Sequence, residues 1–260
     1  MKCTINPKII SLFLVFILVS CIEDHSNKDD QRSCKVGINL TLTGNAANWG
    51  TEVKEGLLAG FKFFNDTCTT REIEVVVEDN QLDPNKAVSI TRKLLDVDKV
   101  DLVISGYTPI VKATSGIVNA SGIPFMATLT SAGDVTNGLP WVFRDFVKES
   151  DYMPLLAEYA WNAGYKKGSC LVINDDFGLD VREFFAAAFA DLGGEMEKGE
   201  VFEASEMEMR NKIISVTTSE PDFIVMAGRG AAMINGIRQI RDKFPDIPLF
   251  LPVSVDDEQI

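Results

Sequence analysis

The chain has 260 residues, 46% of them hydrophobic, enough to bury a large core and to form more than one domain. Its net charge of −13 argues against nucleic acid as a partner, because phosphate binding needs clustered Lys and Arg. The single histidine, His25, lies in a polar N-terminal stretch, which removes His-based catalytic triads and multi-His zinc sites from the globular part.

Lys2 and Lys8 precede an apolar run over 9–19 that is too short to span a bilayer as a stable helix. The run ends in Leu18-Val19-Ser20-Cys21, which resembles the bacterial lipobox, where a signal peptidase cleaves before a cysteine that carries a diacylglyceryl group. The expectation is a signal peptide over 1–20, lipidation of Cys21 and a polar tether over 21–33. A plain secretory signal with an incidental cysteine, or an uncleaved anchor, is the alternative.

Residues 35–42 then predict a strand, 44–49 a loop, and 50–65 a helix with Val53, Leu57, Leu58, Phe61 and Phe64 on one face. A strand over 72–77, a turn over 79–84 and a helix over 85–95 follow. The stretch 101–131 reads as strand, Gly-centred loop, helix, strand and loop. Its helix begins near Thr108-Pro109, where Pro suits the first turn because its missing N–H would be unpaired there, and Gly122 ends it. Residues 123–127 form a buried strand and 141–146 a fifth strand. A second round has helices over 151–163, 178–192, 207–218 and 231–244, and strands over 168–173, 200–202, 223–227 and 249–255. Strands alternating with helices specify the α/β class with parallel, doubly wound sheets. The expected organisation is an N-terminal lobe over 34–146 and a C-terminal lobe over 147–255, joined by a short crossover, with 256–260 beginning a return.

The stretch 101–131 brings hydroxyls and backbone N–H groups to the carboxyl edge of a sheet, where open α/β sheets bind ligands. The cluster around Thr128, Thr130 and Ser131 is uncharged and suits a small anion such as a carboxylate. Ordinary turns use the same residue types. Other motifs carry less. Asp176-Phe177-Gly178 spells the kinase magnesium tripeptide without its partners, and Gly228-Arg229-Gly230 lacks the third glycine of a dinucleotide fingerprint. Asp175 and Asp176 have no further metal-ligand spacing beside them. No G-x-S-x-G elbow occurs, so neither an enzyme nor a cofactor is expected. If the strands beside Cys34 and Cys68 are neighbours, both fall at one sheet edge, which allows a disulfide or two thiols, and Cys170 reads as a buried small hydrophobe.

Several segments in order resemble the branched-chain amino-acid-binding family, the type 1 periplasmic binding proteins of ABC uptake systems. They are KVGINLTLTG with Trp49-Gly50, EVKEGLLAGFKFFN, VVVEDNQLDPNKAV, GIPFMATLTSAGDVT, INDDFG and GIRQIRDK. The resemblance implies two lobes closing on a small ligand at a hinge. It places an α-carboxylate on the Leu129 N–H and on Ser131, with a further contact at Tyr107 and Thr108, and aromatic contacts at Trp49 and Phe177. Packing or turn formation is the alternative for each. The family's glutamate for the ligand ammonium falls on Ala232, with Arg229 in the turn before it, so the resemblance suggests a carboxylate lacking an ammonium. Alternatively, Arg229 faces solvent and Asp176 or Asp256 replaces the glutamate. The family also returns to its first lobe after the strand at 249–255, and the C-terminal part of that pattern is missing here. The implied function is capture of an amino acid or related organic acid for an ABC permease, at a membrane reached through the lipid anchor. A sensor module of the same fold is the alternative.

Overall fold

The computed structural model describes residues 33–44, 46–68 and 71–252. The expected signal peptide, Cys21, most of the tether and Asp256 lie outside them. Two parallel sheets follow one another along the chain. The first is built from β1 (Cys34–Leu40), β2 (Ile73–Asp79), β3 (Leu102–Gly106), β4 (Phe125–Thr128) and β5 (Val142–Arg144), in the order β2-β1-β3-β4-β5. Its helices are α1 (Ala47–Thr67), α2 (Pro84–Lys93) and α3 (Thr108–Ser121), and α2 runs into a π-helical turn at Leu94–Asp98. The second sheet follows α4 (Glu149–Asn162). It contains β6 (Lys167–Ile173), β7 (Glu195–Met196), β8 (Glu200–Phe202), β9 (Phe223–Ala227) and β10 (Leu249–Phe250). Between these strands run α5 (Asp176–Asp191), α6 (Arg210–Thr217) and α7 (Gly230–Lys243). β6 is central: β9 and then β10 lie on one side, and β7 and β8 share its other edge in succession.

Central strands are buried on both faces, as a parallel sheet clad by helices requires. All of β9 is buried, as is β1 from Val36 onward. The second core is aromatic, with Phe223 meeting Phe250 at 4.9 Å and 88° and Phe189 at 5.3 Å and 89°. Such edge-to-face pairs match the electron-rich faces of rings to their positive edges.

The α/β class with two parallel sheets is as expected, but several element bounds differ. The fourth strand begins at Phe125 rather than 123, since Pro124 has no N–H to donate to a ladder. The second strand runs two residues further, to Asp79, and the helix expected over 207–218 occupies only Arg210–Thr217. β7 has no counterpart in the sequence reading, because Glu195–Met196 is too short to show a period. The last strand is confined to Leu249–Phe250 among the described residues. On α1, Val53, Leu57 and Phe61 pack toward the β1 core as predicted, whereas Leu58 and Phe64 are 38% and 39% exposed.

The first helix also starts earlier than predicted, at Ala47, so Trp49 occupies a helical turn and not a loop. Gly50 explains how: a Cβ there would lie 1.9 Å from the Thr41 carbonyl oxygen, so only glycine lets the helix start this close to the strand end. The second sheet repeats the device at Gly178, where a Cβ would lie 2.1 Å from the Ile173 carbonyl oxygen. Phe177 is accordingly in the first turn of α5.

Candidate functional site

The segments that follow the carboxyl ends of β1, β3, β4, β5, β6 and β9 converge on one cavity of about 180 Å³. Trp49, Tyr107, Thr108, Leu129, Ser131, Phe177 and Arg229, singled out from the sequence for different reasons, all line it. Glu52, Val53 and Phe146 complete the wall. The volume is below the roughly 300–1,000 Å³ of pockets for drug-sized ligands and suits a small molecule.

The carboxyl ends of β1, β2 and β3 carry a buried polar network. Asn39 donates to the Ala87 carbonyl at 3.0 Å and to Thr91 at 3.1 Å, while Asn80 donates to the Asn39 side chain at 3.0 Å. Thr41 donates to Asn80 at 2.7 Å and Ser105 to the Asn39 carbonyl at 2.7 Å. A fully bonded polar network of this kind fixes the loops above it. Tyr107 stands at the start of α3 with φ 69°, a sparsely populated conformation for a residue with a side chain. Its hydroxyl donates to the Ala46 carbonyl at 2.5 Å, which anchors the ring across the base of α1. Burial pushes its phenol up to about 12, although the Arg229 charge pulls the other way. Leu129, at φ 49°, takes a left-handed turn before Thr130 and Ser131. Such strain is often kept where a backbone must present groups to a ligand.

Ser131 is buried, and its hydroxyl donates to Oε1 of Glu149, the first residue of α4. The Glu149 N–H donates back to the Ser131 carbonyl at 3.3 Å. Glu149 is fully buried, and burial raises its carboxyl to about 7, against the Ser131 hydrogen bond.

The second lobe closes the cavity with Phe177 and Arg229. Arg229 precedes α7, is 7% exposed, and pairs through Nη1 with Oδ2 of Asp175. Oδ1 of Asp175 accepts from the Gly178 N–H at 3.1 Å, so one carboxylate ties the starts of α5 and α7 together. The guanidinium also faces the rings of Phe177, at 5.1 Å, and Tyr107, at 5.7 Å, which brings the two lobes into contact. Arg229 therefore does not face solvent. Part of its charge is already answered by Asp175, which leaves it less receptive to a second anion than the sequence suggested. Asp176 does not replace the missing glutamate in the cavity, because it pairs with Lys112 of α3 at 3.1 Å, and Lys112 also reaches Asp134 at 3.4 Å. Ala232 is fully buried within α7.

The residues missed from the sequence left uneven signals. Glu52 and Val53 follow Trp49 at helical spacings of three and four, which becomes a clue once the helix is known to include Trp49. Glu149 gave none, and Asp175 was weighed only as a metal ligand, since acids at helix starts are common for reasons of the helix dipole alone.

Residues 33–260 match the periplasmic binding protein family, and the chain belongs to that family. It is 26% identical over 164 residues to Leu/Ile/Val-binding protein homolog 6 of Brucella abortus, covering 62% of this chain and 42% of that protein. The chain thus spans less than half the length of the curated relatives it matches. Among solved structures, a solute-binding protein of an ABC transporter from R. palustris, in complex with benzoate, has a TM-score of 0.79 at 23% identity. That match covers 85% of this chain and 62% of the other. A leucine-binding protein from Thermotoga maritima has a TM-score of 0.79 at 21% identity, covering 84% of this chain and 63% of the other. The fold is that of the type 1 periplasmic binding proteins.

Proposed function

We propose that this solute-binding protein captures a small aromatic monocarboxylate between its two lobes and delivers it to an ABC permease. The observation that carries the reading is the composition of the cavity. The rings of Trp49, Tyr107, Phe146 and Phe177 line it together with the polar side chains of Thr108, Ser131 and Arg229. A flat ring would stack among these side chains while its carboxylate meets Ser131 and the nearby backbone N–H groups. Arg229, partly neutralised by Asp175, retains N–H donors that suit a neutral hydroxyl at the far end of the ligand. Solute-binding proteins of similar fold were crystallised with benzoate, 4-hydroxybenzoate and 3,4-dihydroxybenzoate, which supports this choice.

An amino acid is the second reading, favoured by the leucine-binding neighbour and by Glu52, the one carboxylate in the cavity wall among the described residues. Calorimetry with benzoate, 4-hydroxybenzoate and leucine separates the two. Micromolar binding of a benzoate, unchanged in Glu52→Gln, is expected. Tight leucine binding that disappears in Glu52→Gln would establish the amino-acid reading instead. The proposal includes lobes divided between residues 146 and 147, lipidation at Cys21, which mass spectrometry of the mature N-terminus checks, and a Cys34–Cys68 disulfide. Non-reducing peptide mapping checks the last: Cys34 opens β1 and Cys68 follows α1, both half-buried.

A further inference from the structure

The contact between Ser131 and Glu149 joins the cavity to the first helix of the second lobe, and its chemistry has a direction. A serine hydroxyl has one proton. With Glu149 ionised, that proton is committed to Oε1, and Ser131 shows only lone pairs to a ligand. A carboxylate placed against those lone pairs would be repelled. With Glu149 protonated, the acid O–H donates to Ser131 Oγ, and the Ser131 proton is released to point at the ligand. The surroundings of Glu149 favour that exchange. It is fully buried, and its Oε2 has no hydrogen-bond partner among the described residues. No described side chain forms an ion pair with it: Arg144 of β5 directs Nη1 to the carbonyls of Ala132, at 2.7 Å, and Ser131, at 3.4 Å. Asp180 of α5 adds a like charge, the Arg144 charge opposes it from the far side of the shared Ser131 carbonyl, and Tyr152 on the next turn of α4 lies within electrostatic reach.

We infer that Glu149 is a positioning residue that sets the direction of the Ser131 hydroxyl, so that capture of a carboxylate takes up one proton from solvent at Glu149. The inference rests on the carboxylate reading above and adds the coupling. An anion beside Ser131 disfavours a second negative charge behind it, so binding and protonation reinforce each other by linkage. Affinity for the anion therefore falls as pH rises above neutrality, by about tenfold per pH unit for a one-proton coupling.

The test is calorimetry of the full chain with benzoate between pH 5.5 and 8.5, in buffers of different ionisation enthalpy. Carbon-13 titration of the glutamate carboxyls runs in parallel. Net proton uptake on binding is expected near and above neutral pH, together with one carboxyl titrating near neutrality whose signal is absent from Glu149→Gln. Because glutamine presents an N–H to Ser131 Oγ, Glu149→Gln is expected to bind benzoate at pH 8 as wild type does at pH 6, without pH dependence. Glu149→Ala, lacking any donor, is expected to bind weakly at every pH. Benzoate affinity that is flat with pH in wild type, or a pH dependence that survives in Glu149→Gln, overturns the coupling and leaves the carboxylate reading intact. If benzoate and 4-hydroxybenzoate fail to bind at any pH while the carboxyl still titrates near neutrality, the carboxylate reading falls and takes the coupling with it. Should the variants fail to fold, proton uptake by wild type and its carboxyl titration still decide.

Discussion

Ser131 and Glu149 form a pair whose members are worth more together than apart. On the proposed reading, replacing Ser131 with Ala removes a hydrogen bond to the ligand carboxylate, about 1.5–3 kcal/mol, so benzoate should bind roughly 10- to 150-fold more weakly by calorimetry. Glu149 also makes the fold itself sensitive to pH. Its carboxyl is raised from 4.5 to about 7, so between those values the folded protein holds a proton that the unfolded chain has released. The contribution is fully present below pH 4.5 and is lost as pH rises through about 7. With solvent screening allowed for, the loss is about 2 kcal/mol. Glu149→Gln cannot lose it, so its melting temperature should move less than that of wild type between pH 5 and pH 8. Equal shifts in the two proteins would show that Glu149 does not titrate in this range.

Helix starts are the elements that decide the site. α1 and α5 each follow the first strand of their sheet, and each carries in its first turn a glycine pressed on a carbonyl oxygen at or just past that strand's end. Gly50→Ala or Gly178→Ala should therefore destabilise by about 1–3 kcal/mol in denaturant unfolding, through overpacking against backbone that cannot yield. Gly56 and Gly60, further along α1, have nothing within 4 Å of the place a Cβ would take. Alanine at either should instead stabilise by about 0.5–1 kcal/mol, because helix entropy is then the only effect. The opposite signs within one helix separate close packing from intrinsic propensity. Between the lobes, Lys112 joins Asp134 of its own lobe to Asp176 of α5. Burial works against its charge, but the hydrogen bond to Asp176 and the two nearby acids leave its ammonium raised. Since the pair is partly exposed, Lys112→Ala should cost under about 1 kcal/mol of closure. A several-fold weaker affinity and a broader interlobe distance distribution by single-molecule energy transfer are expected; an unchanged distribution would remove Lys112 from the closing mechanism.

At the scale of the whole molecule, the cavity is bounded by residues from both sheets, with Arg229 and Phe177 on one side and Tyr107 and Ser131 on the other. On the proposed reading, binding there would stabilise both halves at once. A ligand at a hundredfold excess over Kd should add about 2.7 kcal/mol of stability. Both halves should then melt in one ligand-dependent transition by calorimetry; a shift confined to one of two separate transitions would mean that the ligand engages a single lobe.

The sequence alone determined the alternation of strands and helices, the parallel sheets and the hydroxyl cluster at one sheet edge, because those depend on local period, turn residues and the rule that ligands meet the carboxyl edge of such sheets. Ser131 was legible for that reason, in the hydroxyl cluster that follows the fourth strand, whereas Trp49, Tyr107, Thr108, Leu129, Phe177 and Arg229 were singled out by the family resemblance. Tertiary structure alone decided the rest. That Trp49 belongs to a helix depends on how closely Gly50 can approach Thr41, a contact between segments that no periodicity records. The partner of Arg229 is 54 residues away, and that of Ser131 is 18 residues away across the crossover. Charge pairing and burial of this kind depend on distances in space, and only the folded chain sets those.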